Sequence, residues 1–329
     1  MAVTLPAELL SQYQRFSLYN SPYPAHDEGC AVDLYPGTLR DGRTSAAPSP
    51  VSGTVRETRD VKAPPKPYAP EHDHLILIDC DGPGDLEGLT ARILHVQPTV
   101  EAGDRVERGD SLGELVRAGF FAPWVDNHLH VGLRRPDQNP HRASGSIPLE
   151  VGVELRPLEW DGTGTVVATG ATYAVLDAPA HPDPGEAFVG VRADDGGGPN
   201  GVDRKTQGVF RDDERAELSR TTRRSSSERR SDGGVLDGGL PHYDGGGLLA
   251  SETDGERVVS LNGDRLGVAR GRTITWDDVV VTVNDEPITG LSLFCARDAD
   301  FGAKLICPDR PLEIGQRVRV RVRPSLERE

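Results

Sequence analysis

Residues 95–133 read HVQPTVEAGDRVERGDSLGELVRAGFFAPWVDNHLHVGL, and the reading of this stretch decides the fold. The pattern is strand-like. Gly103-Asp104 and Gly109-Asp110 punctuate short strands, with Val106 and Leu112 packing inward. At its end, HLHVGL alternates. Side chains on a strand point to opposite faces in turn, so Leu129, Val131 and Leu133 face a core while His128, His130 and Gly132 share the other face.

Working outward, Val51–Val55, the apolar run Leu75–Ile78 and Ala91–Val96 read as further strands, the run suited to burial on both faces. Beyond Val151 a second β-rich region begins, with strands over Gly164–Leu176 and Phe188–Val191. Strand signals return at Val258–Val259, Val279–Val283 and Leu291–Phe294. They end in Val318–Arg323, where valines turn inward and arginines outward, a solvated strand face. Residues 194–247 are rich in Gly, Ser, Arg and Asp, which predicts a disordered insertion with a weak helix over Asp212–Arg220. Leu9, Leu10, Tyr13 and Phe16 fall at helical spacing and predict a short amphipathic helix over Pro6–Phe16. The expected class is all-β. Residues 1–25 form an N-terminal extension, 26–150 a first β domain, and 151–329 an accessory, sandwich-like β domain broken by the insertion.

The chain has 329 residues and a formal net charge of −15, and only Lys62, Lys66, Lys205 and Lys304 are lysines. Surface acidity of this kind is a lever that halophilic proteins use for solubility. It argues against a nucleic-acid partner, because phosphate binding needs a basic footprint; the one basic cluster, Arg220–Arg230, sits in the polar stretch. No run approaches the ~18 apolar residues of a membrane span, so no membrane partner is expected. The first residues, MAVTLPAELLSQYQRFSLY, lack a basic start and an apolar core, which predicts no secretory signal and a cytoplasmic location. Cys30, Cys80, Cys295 and Cys307 form no CxxC pair and read as buried thiols, with Cys295 and Cys307 placed to meet across two strands.

Two imidazoles two residues apart on one strand face reach one metal-bound water, one as ligand and the other as its hydrogen-bonding neighbour. Upstream, His26-Asp27-Glu28-Gly29-Cys30-Ala31-Val32-Asp33 brings a histidine and a carboxylate beside a glycine turn. Catalytic zinc takes three such protein ligands and keeps an open position for water, and His26, Asp33 and His130 make such a set. His95 lies on an apolar strand, where a histidine is ordinarily a hydrogen-bonded core residue. His72 and His74 follow a proline-rich loop and read as exposed loop residues; His141, His181 and His242 read as surface histidines.

The order His…Asp, PVSGTV, LILID, LHVQPTVEAGDRVERGDSLGEL, HLHVGL resembles the lysostaphin/LytM-type zinc metallopeptidases, the murein endopeptidase family, over about residues 26–135. The resemblance implies a hybrid β-sandwich/barrel, Zn2+ held by His26, Asp33 and His130, and His95 and His128 orienting the water or stabilising the oxyanion. It implies hydrolysis of a peptide or amide bond by a metal-activated water, and a peptide or peptide-like substrate. In the family's first motif the histidine stands four residues before the aspartate, whereas His26 stands seven before Asp33. An odd offset puts them on opposite faces of a regular strand. Convergence then needs a loop or bulge, which Glu28-Gly29 supplies, and Glu28 or Cys30 is the substitute ligand. That offset and the cytoplasmic address motivate an alternative, a catalytically degenerate interaction module on the same fold. A biotinyl or lipoyl carrier is excluded, because no lysine occurs between Lys66 and Lys205.

Overall fold

The computed structural model describes residues 2–40, 43–81, 84, 86–195, 233–251 and 255–325. The chain is all-β: among the described residues the helix is the single turn Ala7–Leu10. The expected helix over Pro6–Phe16 is thus shorter than its apolar spacing suggested. Leu9, Leu10, Tyr13 and Phe16 are all buried, but Arg15–Ser17 is a strand paired with Ala31–Tyr35 on one side and Cys295–Ala296 on the other. Sheet pairing on both edges supplies backbone hydrogen bonds that the end of a helix would leave to water.

Ten strands form the sheet that carries the site: 155–158, 188–191, 295–296, 15–17, 31–35, 129–134, 90–94, 72–80, 53–62 and 105–106, in spatial order. Its central strands are antiparallel, with His130 opposite Asp33 on one neighbour and Leu94 on the other, and Gly132 opposite Arg92. One face is hydrophobic core: Val32, Leu34, Ile76, Ile78, Ile93, Leu129, Val131 and Leu133 are at most 1% exposed and pack as one cluster. Burying each such side chain contributes roughly 1.5–3 kcal/mol, and that burial holds the register. A one-residue slip of Leu129–Arg134 would turn the histidines into the core. The opposite face therefore carries Asp33, His130, Arg92 and Arg134, with Leu75, Leu77 and Leu94 as a small apolar patch.

A thirteen-strand sheet, built from residues beyond 163, encloses a second core around Trp160, Leu176, Leu236, Ile274 and Phe294. Part of the expected insertion lies in it. Asp194–Asp195, Val235–Leu240 and Gly245–Leu249 are strands, while residues 196–232, the expected weak helix and the basic cluster among them, lie outside the described residues. Composition misled at the glycines of 245–247. Glycine is required there by close packing rather than by a loop: a Cβ on Gly246 would meet the Trp276 ring at 2.1 Å. All four cysteines are free and buried.

Two histidine expectations change. His72 and His74 begin the strand His72–Cys80 instead of sitting in a loop. His181 is 8% exposed, with Nε2 on the Ala187 carbonyl. His242 is enclosed beside the Leu240 backbone, its ring packed on Tyr243 and Trp124. Burial lowers its pKa to about 4. A neutral histidine of this kind stabilises the fold fully above its unfolded pKa of about 6.5 and loses that contribution as pH falls through its folded value. Between pH 7 and 4 it should cost about 3 kcal/mol of stability. Replacing His242 with Phe should flatten the acid limb of urea-unfolding curves by that amount; parallel curves would show that His242 is not the group responsible.

Candidate metal centre

His26 sits in consecutive turns that precede the strand Ala31–Tyr35. Its N–H bonds the Tyr23 carbonyl, and Gly29 N–H bonds the His26 carbonyl. Gly29 has φ +65°, and a Cβ there would lie 2.8 Å from the Tyr19 hydroxyl. Only glycine takes that left-handed turn at this approach without strain. The turn resolves the seven-residue offset, because His26 is not on the strand and folds back over it. Asp33 and His130 are directly opposed across the two strands.

Three ligand atoms converge. His130 Nδ1 is 3.0 Å from His26 Nε2 and 3.0 Å from Asp33 Oδ1, and His26 Nε2 is 3.4 Å from Asp33 Oδ1. Bonds of about 2.1 Å to a tetrahedral zinc place neighbouring ligand atoms roughly 3.4 Å apart. The observed spacing is therefore close to that of three ligands already around one ion. All three residues are buried, and no other group of three His, Cys, Asp or Glu among the described residues is placed to hold a metal. Glu28 and Cys30 take no part in that group.

The electrostatics agree. Burial alone would lower the His26 pKa, but the Asp33 charge and the hydrogen bond from Nδ1 to the Leu18 carbonyl, at 2.7 Å, raise it. Burial likewise opposes the Asp33 charge, and the surrounding histidines nonetheless hold its pKa well below the carboxylate range. His130 goes the other way, lowered to about 3 by burial against its bond to Asp33. The buried carboxylate of Asp33, with imidazole nitrogens on either side, thus favours a positive charge at this point. The donor set, two imidazole nitrogens and a carboxylate oxygen, suits zinc. The Leu18 carbonyl fixes the tautomer of His26, as second-shell partners of metal-bound histidines do.

His95 and His128 stand beside the three. His128 donates Nδ1–H to the Asp126 carbonyl at 2.9 Å, leaving Nε2 3.4 Å from Asp33 Oδ1, and its ring stacks on Phe121. His95 adopts φ +73° between the strands Thr90–Leu94 and Val96–Pro98. Such a conformation in a non-glycine residue costs of order 1–3 kcal/mol and persists where the surroundings impose it. Its Nδ1 lies 2.6 Å from Asp73 Oδ2, and its ring is 5.2 Å from that of His128. Asp73 is wholly buried. Sequence reasoning passed over it between two exposed histidines; the available signal was its phase with Leu75 and Leu77, which places it inward.

Two more residues escaped notice because they lie far along the chain. Asp237, fully buried, accepts from the Leu18 and Tyr19 N–H groups at 2.6 and 3.2 Å and from the Ser17 hydroxyl, gripping the peptide whose carbonyl orients His26. Lys304 donates to Asp126 Oδ2 at 2.8 Å and to the Trp124 carbonyl at 2.9 Å, behind His128. Both sit beyond residue 151, so the region expected to be accessory supports both ends of the site. Asp33, His95, His128 and His130 open onto a cavity of about 30 Å³, closed by Phe121 and Tyr243 among others. That is room for about one water. A larger cleft, about 540 Å³ beside Trp160 and Asn262, is lined by none of these residues.

Comparison with known proteins adds family and little else. Residues 4–151 match the domain of unknown function (DUF8155) N-terminal domain, and residues 156–323 match the DUF8155 C-terminal domain. No curated protein matches the chain. Among solved structures, a chain from the structure of the SpoIIQ-SpoIIIAH pore forming complex is similar at 16% identity, with 41% of this chain and 85% of that chain covered and a TM-score of 0.26.

Proposed function

The chain belongs to the DUF8155 family, and from the centre in its N-terminal part we propose that it is a zinc-dependent, peptidase-like hydrolase acting on a peptide or amide bond. The observation that carries this reading is the spacing of His26 Nε2, Asp33 Oδ1 and His130 Nδ1, 3.0–3.4 Å apart and buried. These three hold the ion. Bound zinc polarises a carbonyl and lowers the pKa of its water to about 7.

The remaining groups divide the proton work. His95, its Nδ1 tied to Asp73, presents Nε2 as the general base that takes a proton from the attacking water and returns it to the leaving amine. His128, its Nδ1 tied to the Asp126 carbonyl and its Nε2 3.4 Å from Asp33 Oδ1, would donate from Nε2 to the oxygen that gains charge when its ring carries a second proton. Water adds across the C–N bond, and a carboxylic acid and an amine leave. The order of motifs that resembles lysostaphin/LytM-type enzymes supports the same assignment.

The test is zinc content of the purified full chain together with hydrolysis of N-acetylated peptide amides. About one zinc per chain and hydrolysis are expected. In Asp73→Asn the charge that stabilises the His95 imidazolium is gone, so the rate should fall by about 10–100-fold or more while zinc stays bound. A chain that takes up no zinc, or an Asp73→Asn variant as fast as wild type, sinks the reading.

One observation favours a second reading, an interaction module that keeps the metal and has lost the chemistry. The cavity, about 30 Å³, has room for about one water and not for a peptide, and Tyr23 and Phe120, in edge contact at 5.6 Å, are among the residues that line it. A zinc-loaded chain inert toward every peptide offered would support it.

A further inference from the structure

The sheet face that presents His130 continues into two buried arginines that form no ion pair among the described residues. Arg92 lies directly opposite Gly132, two residues from His130, and Arg134 lies two further on, opposite Thr90. Arg92 is 7% exposed and Arg134 1%. Arg134 NH2 donates to the carbonyls of Arg142 and Ser144, at 2.9 and 3.1 Å, while its Nε and NH1 are enclosed with no partner. Arg92 Nε is enclosed with no partner too. Among the described residues neither guanidinium forms an ion pair: Asp73, whose charge acts on Arg92 less than burial and Arg134 do, is paired with His95, and Asp126 with Lys304 and Arg15. Two buried like charges side by side cost stability unless an anion joins them. Burial first, and then Arg134, push the Arg92 pKa down to about 10. A fold retains such an arrangement where a ligand completes it.

We propose that Arg92 and Arg134 form a carboxylate-binding subsite beside the metal centre, which makes the substrate a peptide with a free carboxylate close to the bond that is cut. The proposal deepens the hydrolase reading and rests on it for the substrate. Strand geometry sets the spacing. Two residues along a strand advance about 7 Å, so Arg92 reaches a carboxylate about two residues from a bond held at His130. Arginine suits the task because its fork of N–H donors matches both carboxylate oxygens.

Calorimetric titration tests this with N-acetyl-triglycine and its C-terminal amide, on the full chain, on His130→Ala and on Arg92→Gln. The acid should bind the wild-type chain at least about tenfold more tightly than the amide, the scale of a charge-assisted hydrogen bond. His130→Ala should keep that preference, because the arginines hold the carboxylate without the metal. Arg92→Gln should abolish it. Arg92 makes no side-chain hydrogen bond among the described residues, so its replacement removes a buried charge without an ion pair and should leave the melting temperature equal or higher. A structural arginine would show the opposite.

Equal binding of acid and amide overturns the subsite. So does a preference that vanishes in His130→Ala, which would place the carboxylate on the metal, or a melting temperature that drops in Arg92→Gln. Inorganic phosphate binding more tightly than the acid replaces carboxylate with phosphate and overturns the substrate assignment. Retained preference in a chain that hydrolyses nothing counts against the hydrolase alone. Lost preference in a hydrolysing zinc protein counts against the subsite alone.

Discussion

His130→Ala is expected to empty the metal centre. The imidazole supplies the Nδ1 that lies 3.0 Å from both other candidate ligand atoms, so its removal leaves only His26 and Asp33, 3.4 Å apart, to hold an ion. Those two need no metal. Asp33 and the raised pKa of His26 leave a buried ion pair that satisfies itself with a proton. The loss should exceed the 10–100-fold penalty that second-shell changes bring. Zinc per chain should fall from about one to near zero, and hydrolysis below detection. A thermal readout separates this from misfolding. Zinc in 1,000-fold excess over its dissociation constant stabilises a protein that binds it only when folded by about 4 kcal/mol. Added zinc should therefore raise the melting temperature of the wild-type chain and leave that of His130→Ala unchanged. A variant that still gains stability from zinc would show that His130 is not a ligand.

Lys304→Met should be the most destabilising single change behind the site. Lys304 is 3% exposed, and its ammonium bonds Asp126 and the Trp124 carbonyl while lying 4.5 Å from the Tyr173 ring centroid. Burial alone would raise the Asp126 pKa, but Lys304 and Arg15 hold it below the usual carboxylate range. Methionine fills the space and removes the charge. Asp126 is left with Arg15 alone, and the Trp124 carbonyl loses its donor. Breaking a buried pair from one side costs about 3–5 kcal/mol. Urea unfolding should report that loss as a lower midpoint with an unchanged slope. Because the Asp126 carbonyl also orients His128, hydrolysis should fall further than zinc content does. A loss under about 1 kcal/mol, within the range of surface ion pairs, would mean that the lysine is dispensable.

The distance between these two predictions measures what could be read in advance. His128 and His130 share a strand face because HLHVGL alternates, and the burial of Leu129, Val131 and Leu133 follows from that same period. The valines of Val318–Val322 are buried for the same reason. Where the period was broken, reading faltered. Arg15–Ser17 carries helical spacing yet is a strand, because two neighbouring strands compete for its backbone. The glycines of 245–247 suggested a loop, and they are packed beneath Tyr19 and Trp276.

The amino-acid sequence by itself determined the all-β class, the inward and outward faces of the histidine strand, and the identity of five residues worth watching: His26, Asp33, His95, His128 and His130. These are local matters of side-chain period and residue chemistry, settled within a few residues. Tertiary structure decided whether they meet. The turn at Gly29 brings His26 over Asp33, and Asp73 reaches His95 across 22 residues. Asp237 and Lys304 close in from 219 and 178 residues away. Arg92 and Arg134 gained meaning only when strand pairing set them side by side with no ion pair among the described residues. Contacts at such separations depend on which strands pair and what is buried between them, and no local period encodes that.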